Sequence, residues 1–398
     1  MSFNIANTGL SAVTEQLSTI SNNIANSATK GFKSSRTEFS SMYAQSQALG
    51  VGVSGVAQNI SKDGSIDNTN RAMDLAIAGN GFFVVKSSNG DEAYTRAGMF
   101  ETDKNGFLVN ASGMKLQGYP VDAAGNMQTG NIGDLKISTA GLPAKATSQL
   151  DFTANLPAGD SAPAVAPFDS NNKATFNYTS ASTAYDSLGR QHAVTQYFVK
   201  GATAGEWNVH YAVDGAVQGG VTHQLQFDTS GVMTAGNRKN ITGTYAPAGA
   251  ANFTIGLDYT GTTQFQSEFL TTTNKGDGYT AGTKNGERIE NDGSVYATFS
   301  NGERMLQGKL ALANFANPNG LTAQNGTTWT ATGKSGAALI GVPGSGLLGT
   351  LQAGALEASN VDLTAELVGL MTAQRNYQAN TKIISTNDSM MNALFQVL

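Results

Sequence analysis

The sequence predicts an α+β chain: a terminal α-helical coiled coil, made from the two ends of the polypeptide, with two mainly antiparallel β domains nested between. Three observations predict it. Apolar residues recur on a heptad at both ends, the period falls to two in the middle, and eleven Asn-Gly or Asp-Gly dipeptides punctuate that middle with turn signals. At 398 residues the chain exceeds any single small fold.

The first element starts at Phe3. Phe3, Leu10, Leu17 and Ile24 hold one seam position and Ala6, Val13 and Ile20 the other, which predicts an amphipathic helix of about 25 residues. Its remaining faces are Asn, Ser, Thr and Gln, poor helix formers, so the segment needs a partner helix. Residues 27–71 read as a linker containing a flexible Gly-rich loop, Gly50 to Gly55.

Between the ends, alternation predicts strands at Leu75–Ala78, Phe82–Val85, Ala193–Val199, Trp207–Val213, Phe253–Tyr259, Val295–Phe299 and Lys309–Ala313. Low-signal stretches near 138–149, 157–168 and 271–285 mark boundaries. They divide the middle into a core β domain, 72–145 with 277–349, and an inserted outer β domain, 146–276; residues 350–359 return as linker.

The last element is the partner helix. Leu356, Leu363, Leu370, Tyr377, Ile384, Met391 and Leu398 follow each other at intervals of seven, widened by Leu367, Ile383, Met390, Leu394, Phe395 and Val397. Gln374, Thr381 and Asp388 read as a polar second seam. Ser359 and Asp362 supply a start signal, predicting a helix from about Asn360 to the end. Packed side by side, the helices of domain 1–26 and 360–398 run antiparallel with both chain ends together.

Composition narrows the function. Charged residues are 13% of the chain, about half the ~25% usual for globular proteins, and the net charge of −5 is spread without blocks. Nothing here matches phosphate backbones or anionic lipid, so neither nucleic acid nor membrane insertion is expected. There is no cysteine, and the first Lys or Arg is Lys30, so a basic n-region of a cleaved signal is missing.

No catalytic, metal or cofactor site emerges. Gly50 to Gly55 matches G-x-G-x-x-G, with Asp74 downstream, but lacks the strand before and helix after that a dinucleotide fold requires. Gly333–Lys334–Ser335 imitates the end of a P-loop, yet Thr328 stands where its first Gly belongs. His192, His210 and His223 lack metal spacing and read as solvent-facing strand residues. Tyr185, Asp186, His192, Trp207 and Tyr211 could line a carbohydrate groove, but one acid is not the pair a glycosidase needs. The chain is therefore not expected to be an enzyme. The heptad ends carry the sharper reading: a stripe on each helix wider than one partner can cover points to other copies of the same chain.

The opening Leu17–Ser18–Thr19–Ile20–Ser21–Asn22–Asn23–Ile24–Ala25–Asn26, continuing through Thr29–Lys30–Gly31–Phe32–Lys33, resembles the signature of the bacterial flagellar axial proteins, the rod, hook and hook-associated subunits. Ile77–Ala78–Gly79–Asn80–Gly81–Phe82–Phe83–Val84 with Tyr94–Thr95–Arg96–Ala97–Gly98–Met99–Phe100 is similar to the core β domain of that family, and Gly354 to Asp362 with Gln374 to Asn380 resembles its C-terminal motif. The large insertion fits the hook branch better than the shorter distal-rod members.

The resemblance implies a structural subunit that polymerises with itself into a curved hollow tube, a universal joint between rod and filament transmitting motor torque. It implies an extracellular location at the flagellar hook and export through the flagellar type III apparatus without signal cleavage. The other implied partners are the rod, the hook cap and the hook-filament junction proteins. Leu10, Val13, Leu17, Ile20, Ile24, Leu363, Leu367, Leu370, Tyr377, Ile384 and Met391 are then the expected polymerisation residues, and Gly50, Gly52 and Gly55 the expected compliant joint. A distal-rod-like subunit and a secreted β-rich glycan-binding module are the competing readings.

Overall fold

In the computed structural model, the residues described are 2–44, 47–122, 125–242, 249–251 and 254–397. The chain is mostly β with one helix at each end, and it divides into two compact units. The first comprises 1–139, 286–298 and 304–398, the second 140–285 and 299–303.

In the first unit, helix α1 spans Ser2–Ala25. Strands β1 (Ser35–Ala44) and β2 (Gln47–Gln58) follow as an antiparallel hairpin, its register shifting at Glu38/Phe39 and Met42/Tyr43. Helix α2 spans Leu363–Val397. It begins at Leu363 because Asp362, not Ser359, is the cap: Asp362 Oδ1 accepts from the amides of Thr364 (3.0 Å) and Ala365 (3.1 Å).

A β core lies between the helices in sequence. Phe82–Lys86 is its centre, paired antiparallel with Glu92–Thr95, Lys115–Pro120 and Leu312–Asn314. Its first four residues are all buried, because sheet and loops cover both faces. Phe82 meets Phe315 and Trp329 edge-on at 5.9 and 5.8 Å, closing a cluster with Ile60, Val84, Tyr94 and Leu321. Parts of the expected linkers are strands: Ile66–Asn68 pairs with Ala355–Glu357, and Thr350–Ala353 with Leu75–Ala78.

One turn recurs throughout. At Asp103/Gly106, Asn110/Gly113 and Asp122/Gly125 in the first unit, and at Asp186/Gly189 and Asp228/Gly231 in the second, the glycine amide donates back to the carbonyl of the residue three before it. Each glycine has positive φ, and each Asp or Asn side chain accepts from amides farther along the turn. The two-residue Asn-Gly or Asp-Gly turn expected from the dipeptide count is found at Asp214–Gly215, where both φ values are positive (49° and 82°).

The second unit is a two-sheet sandwich. Tyr178–Tyr185, Gln191–Lys200, Glu206–Val213, Ala216–Phe227 and Met233–Ala235 form one sheet. Arg238–Thr242, Thr254–Asp258, Gln149–Asn155 and Leu270–Gly276 form the other, whose two middle strands pair in parallel. Phe152, Phe198, Trp207, Tyr211, Leu225, Leu257 and Tyr259 fill the space between. A polar chain runs through this core: Gln196 donates to Ser182 (3.0 Å), Tyr259 donates to Gln196 (2.7 Å), and the Tyr211 and Tyr259 hydroxyls meet at 3.0 Å. Fully satisfied, it fixes the register of one sheet on the other.

Four sequence expectations are corrected here. Gly50, Gly52 and Gly55 lie within strand β2, not in a loop. Leu270–Gly276, in a stretch taken as a boundary, is a strand. His192 and His223 are buried, not solvent-facing. His223 Nε2 donates to Gly236 O (2.6 Å), while His210, half-buried, stacks on Phe168 at 4.1 Å. Finally, Trp207 and Tyr211 are fully buried between the sheets and Asp186 is buried as well, so these residues do not line an open groove. Of the predicted strand Phe253–Tyr259, the first residue lies outside the described residues, as does Leu398 of the heptad line.

Candidate subunit interface

The terminal helices meet along one register. Asn23 Nδ2 donates to Glu366 Oε1 (2.8 Å), Ile20 Cδ1 lies 3.5 Å from where a Cβ on Gly369 would stand, and a Cβ on Gly9 would lie 3.0 Å from the Asn380 amide. In each pair the residue numbers add to 389. By that register Ser2 falls opposite Asn387, and the final ten residues of α2 run past the start of α1 by about 15 Å.

The apolar part of this seam is small. Val13, Ile20 and Ala373 are buried in it, and Leu17, Ile24 and Leu370 pack half-buried against them. Leu10 and Ile384 are half-buried as well. The polar line expected at Gln374, Thr381 and Asp388 faces away, all three being exposed. The second line is one residue earlier, at Glu366, Ala373, Asn380 and Asn387. Polar groups therefore occupy much of the covered face, and larger apolar residues are turned outward.

Those outward residues form separate patches. Leu363, Leu367 and Met371, 45–55% exposed, follow each other every four residues along the base of α2, with Val368 beside them. Ile383 and Met390 form a second patch toward the end, Met390 being 67% exposed. At 100° per residue the two patches lie roughly 150° apart around the helix. Tyr377 and Met391, also expected in the seam, are 42% and 47% exposed; Met391 lies on the overhang, past the start of α1. The hairpin adds Phe39, Met42, Tyr43, Val53 and Val56, all exposed.

The expected joint glycines differ among themselves. Gly50 has φ +110°, and a Cβ there would lie 2.1 Å from Thr8 Oγ1 on α1. Around Gly55 there is open space, and at Gly52 the nearest atom is the flexible Met42 Sδ. Of the three, Gly50 alone is a site of close approach between hairpin and helix.

Sequence reasoning missed the polar residues that set the base of the stalk formed by the helices and hairpin. Asn23 Oδ1 accepts from Ser35 N (2.9 Å) and its Nδ2 donates to Ser35 O (2.7 Å), seating β1 on the end of α1. Asn360 accepts from Ser34 N and donates to the carbonyls of Asn59 and Lys62, in the turn before α2. Beside it, Lys33, Arg96 and Glu357, each nearly inaccessible, form a buried ionic node. Burial pulls the Lys33 ammonium below its ordinary value, against the opposing pull of Glu357. The available signals were two adjacent Asn near a helix end and a Lys directly after Gly31–Phe32, each a local cue without its partner.

Asp186, the one acid considered for a groove, is fully buried. Burial alone would raise its pKa, but the amide and guanidinium of Arg190, His192 and the Leu188 amide hold it well below the usual carboxylate range. It is a turn anchor that stays ionised. Among the described residues no group of three or more His, Asp or Glu is placed to hold a metal ion.

Comparison with known proteins agrees along the whole chain. Residues 3–33 match the family described as flagella basal body rod protein, 76–148 the flagellar hook protein FlgE/F/G D1 domain, 149–279 the flagellar basal body protein FlaE D2 domain, and 352–397 the flagellar basal body rod FlgEFG protein C-terminal. The flagellar hook protein FlgE of Salmonella typhimurium is 41% identical over 402 residues, covering 99% of both chains. That of Escherichia coli is 39% identical, again over 99% of both, and that of Brucella suis 35% over 97% of this chain and 96% of its own. A crystal structure of Helicobacter pylori flagellar hook protein FlgE2 shares the fold at TM-score 0.54 and 13% identity, over 73% of this chain and all of the other. With relatives this similar over essentially their full length, the chain belongs to the FlgE family of flagellar hook proteins.

Proposed function

We propose that the chain is the structural subunit of the bacterial flagellar hook, polymerising into the curved tube that joins rod to filament. The observation that carries this reading is the full-length relationship to FlgE proteins, at 41% identity over 99% of both chains. The terminal helices supply the means. They pack as an antiparallel coiled coil whose two outward patches, on different faces and at different ends of α2, cannot both be buried in a two-fold dimer. Heterologous contacts repeat from copy to copy, and with a rotation that does not close into a ring they build an open helical polymer.

In this reading Leu363, Leu367, Tyr377 and Met391 meet other copies, while Leu10, Val13, Leu17, Ile20, Ile24, Leu370 and Ile384 hold the pair together within one chain. The hairpin carrying Gly50, Gly52 and Gly55 is the compliant element, and the nested domains follow the bounds set out above. Rod, cap and junction proteins at the two ends of the polymer, and uncleaved export by the flagellar type III apparatus, complete the proposal. The weakly charged surface suits sliding contacts, where replaceable polar and water-bridged pairs give many near-equal registers.

Immunogold microscopy on flagellated cells tests it, with antibodies raised against the exposed segment 161–174 instead of the buried strand Glu206–Val213. Label on the short curved segment between envelope and filament is the expected result. Label only in the periplasm, at a filament tip or free in the medium overturns it.

A further inference from the structure

The base of the stalk is tied to the β core through one carboxylate. Glu357 Oε1 accepts from Lys33 Nζ (2.7 Å) and Gly64 N (3.0 Å), and Oε2 from Arg96 Nη1 (3.1 Å). The donors come from three separate stretches: the segment after α1, the turn after β2, and the β core beside strand Glu92–Thr95. Glu357 itself ends the strand that leads into α2. Lys33 Nζ also donates to Lys62 O (2.7 Å), and Arg96 Nη2 to Gly79 O (2.9 Å). The half-exposed Asp63 stands 3.6 Å from Lys33 and 3.3 Å from Arg96 as the second anion.

Backbone packing around the node is equally close. Gly31 N donates to Glu357 O (2.9 Å), and a Cβ on Gly31 would stand 2.5 Å from Ala97 N. A Cβ on Gly64 would stand 1.9 Å from Ala358 O.

We propose that Glu357, with Lys33 and Arg96, is a torsion-bearing pin that locks the helical stalk rigidly to the β core, so that compliance resides outside this junction. Charge-assisted bonds in a dry site are short, directional and strong, and here they converge from three directions on a group that cannot rotate without breaking at least one. Two buried cations make opening costly, since withdrawing Glu357 leaves them the half-exposed Asp63 as shared counter-charge and, besides it, the Lys62 and Gly79 carbonyls. The pin also orders closure. Lys33 and Arg96 precede Glu357 by 324 and 261 residues, so the stalk base cannot seat until the C-terminal strand has docked.

The mechanical consequence rests on the hook reading; the pin itself does not, and the test separates them. In the full-length chain carrying Glu357→Gln, hydrogen exchange at Gly31 and Gly64 should accelerate at least 100-fold, while amides of Phe82–Lys86 and of the second unit keep their wild-type rates. Glu357→Asp, which keeps the charge but shortens the reach, should fall between. Unchanged exchange at Gly31 and Gly64 overturns the pin, and so does a general acceleration that includes Phe82–Lys86, which would make Glu357 part of the β core instead of a coupling. With the pin established, Glu357→Gln polymers should twist several-fold further under a given torque. Unchanged torsional stiffness would remove the mechanical role and leave the exchange result standing.

Discussion

Asn23 and Ser35 exchange two hydrogen bonds, the Asn23 side chain presenting to Ser35 the acceptor and donor that a neighbouring strand would present. The last buried turn of α1 thus acts as an edge on which β1 begins, and the same amide group holds Glu366 of α2. One side chain sets three elements at once.

Asn23→Ala should therefore cost about 1–3 kcal/mol, the range for leaving buried backbone groups without partners. Ser35 should lose its hydrogen-exchange protection, and β1 should be cleaved by protease near residue 35, while the second unit melts as before. Asn23→Asp restores the acceptor for Ser35 N but cannot donate to Ser35 O and sets a second carboxylate against Glu366, so it should behave no better than Ala.

How much of this was legible follows from where each signal resides. The helices, the strand Phe82–Lys86 and the sandwich strands Gln191–Lys200, Glu206–Val213 and Thr254–Asp258 were readable because period and composition are local; the remaining sandwich strands went unread. The second line of α2 was placed one residue late, at Gln374, Thr381 and Asp388, because Ala373, Asn380 and Asn387 offer no hydropathy contrast to fix the register; an interior shared with other copies is indistinguishable in sequence from one shared within a chain. The node of Lys33, Arg96 and Glu357 was unreadable because Glu357 lies 324 and 261 residues beyond the other two. His192 was misread because its partner, 22 residues on, is not a helix-spaced neighbour: Asp214 meets its Nδ1 at 2.7 Å from the next hairpin.

The two classes of helix residue should separate under mutation. Leu367→Asp changes a side chain already 45% exposed, so the melting curve should hold within about 0.5 kcal/mol while polymerisation is abolished. Ile20→Ala removes a buried side chain and should destabilise the helical pair by about 2–4 kcal/mol. Circular dichroism melts set beside sedimentation of polymer check both. Efficient assembly of the Leu367→Asp chain would remove this face from the interface.

The three glycines of β2 should not respond alike. Gly50→Ala places a side chain at φ +110° and against Thr8, and should cost about 1–3 kcal/mol from backbone strain before the clash is counted. Gly55→Ala meets open space and should be nearly neutral for folding. If the hairpin is the compliant element, Gly55→Ala should still stiffen it, through lost backbone freedom, and swimming at high load should change although the melt does not.

Acid should loosen the second unit through Asp277. Burial alone would raise its pKa, but the Gln149 amide, the Ser148 hydroxyl, the Lys145 ammonium and the Ser148 amide bring it down to about 2. A carboxylate depressed in the folded state is protonated first in the unfolded one, so its contribution is complete above the unfolded pKa near 3.9 and disappears as pH falls through about 2. Denaturant titrations should show stability dropping between about pH 4 and 2, and Asp277→Asn should flatten that drop while lowering stability at neutral pH.

The most informative variant removes residues 146–276. Lys145 and Tyr279 exchange backbone hydrogen bonds of 3.0 Å each, as Leu142 and Gly282 do at 2.8 and 2.9 Å, so the segments entering and leaving the insertion are already bridged in antiparallel fashion. Excision leaves Lys145–Asp277–Gly278–Tyr279, an Asp-Gly pair across two bonded strand residues, which is the sequence a two-residue hairpin prefers. The shortened chain should therefore fold without redesign, keeping the helices, the hairpin and the ionic node, and it should polymerise. If the insertion tunes curvature, the resulting hooks should be straight or wrongly curved under the electron microscope. Hooks of normal supercoil would move that role to the β core or to the stalk, whereas failure to polymerise would make the insertion part of the assembly interface itself.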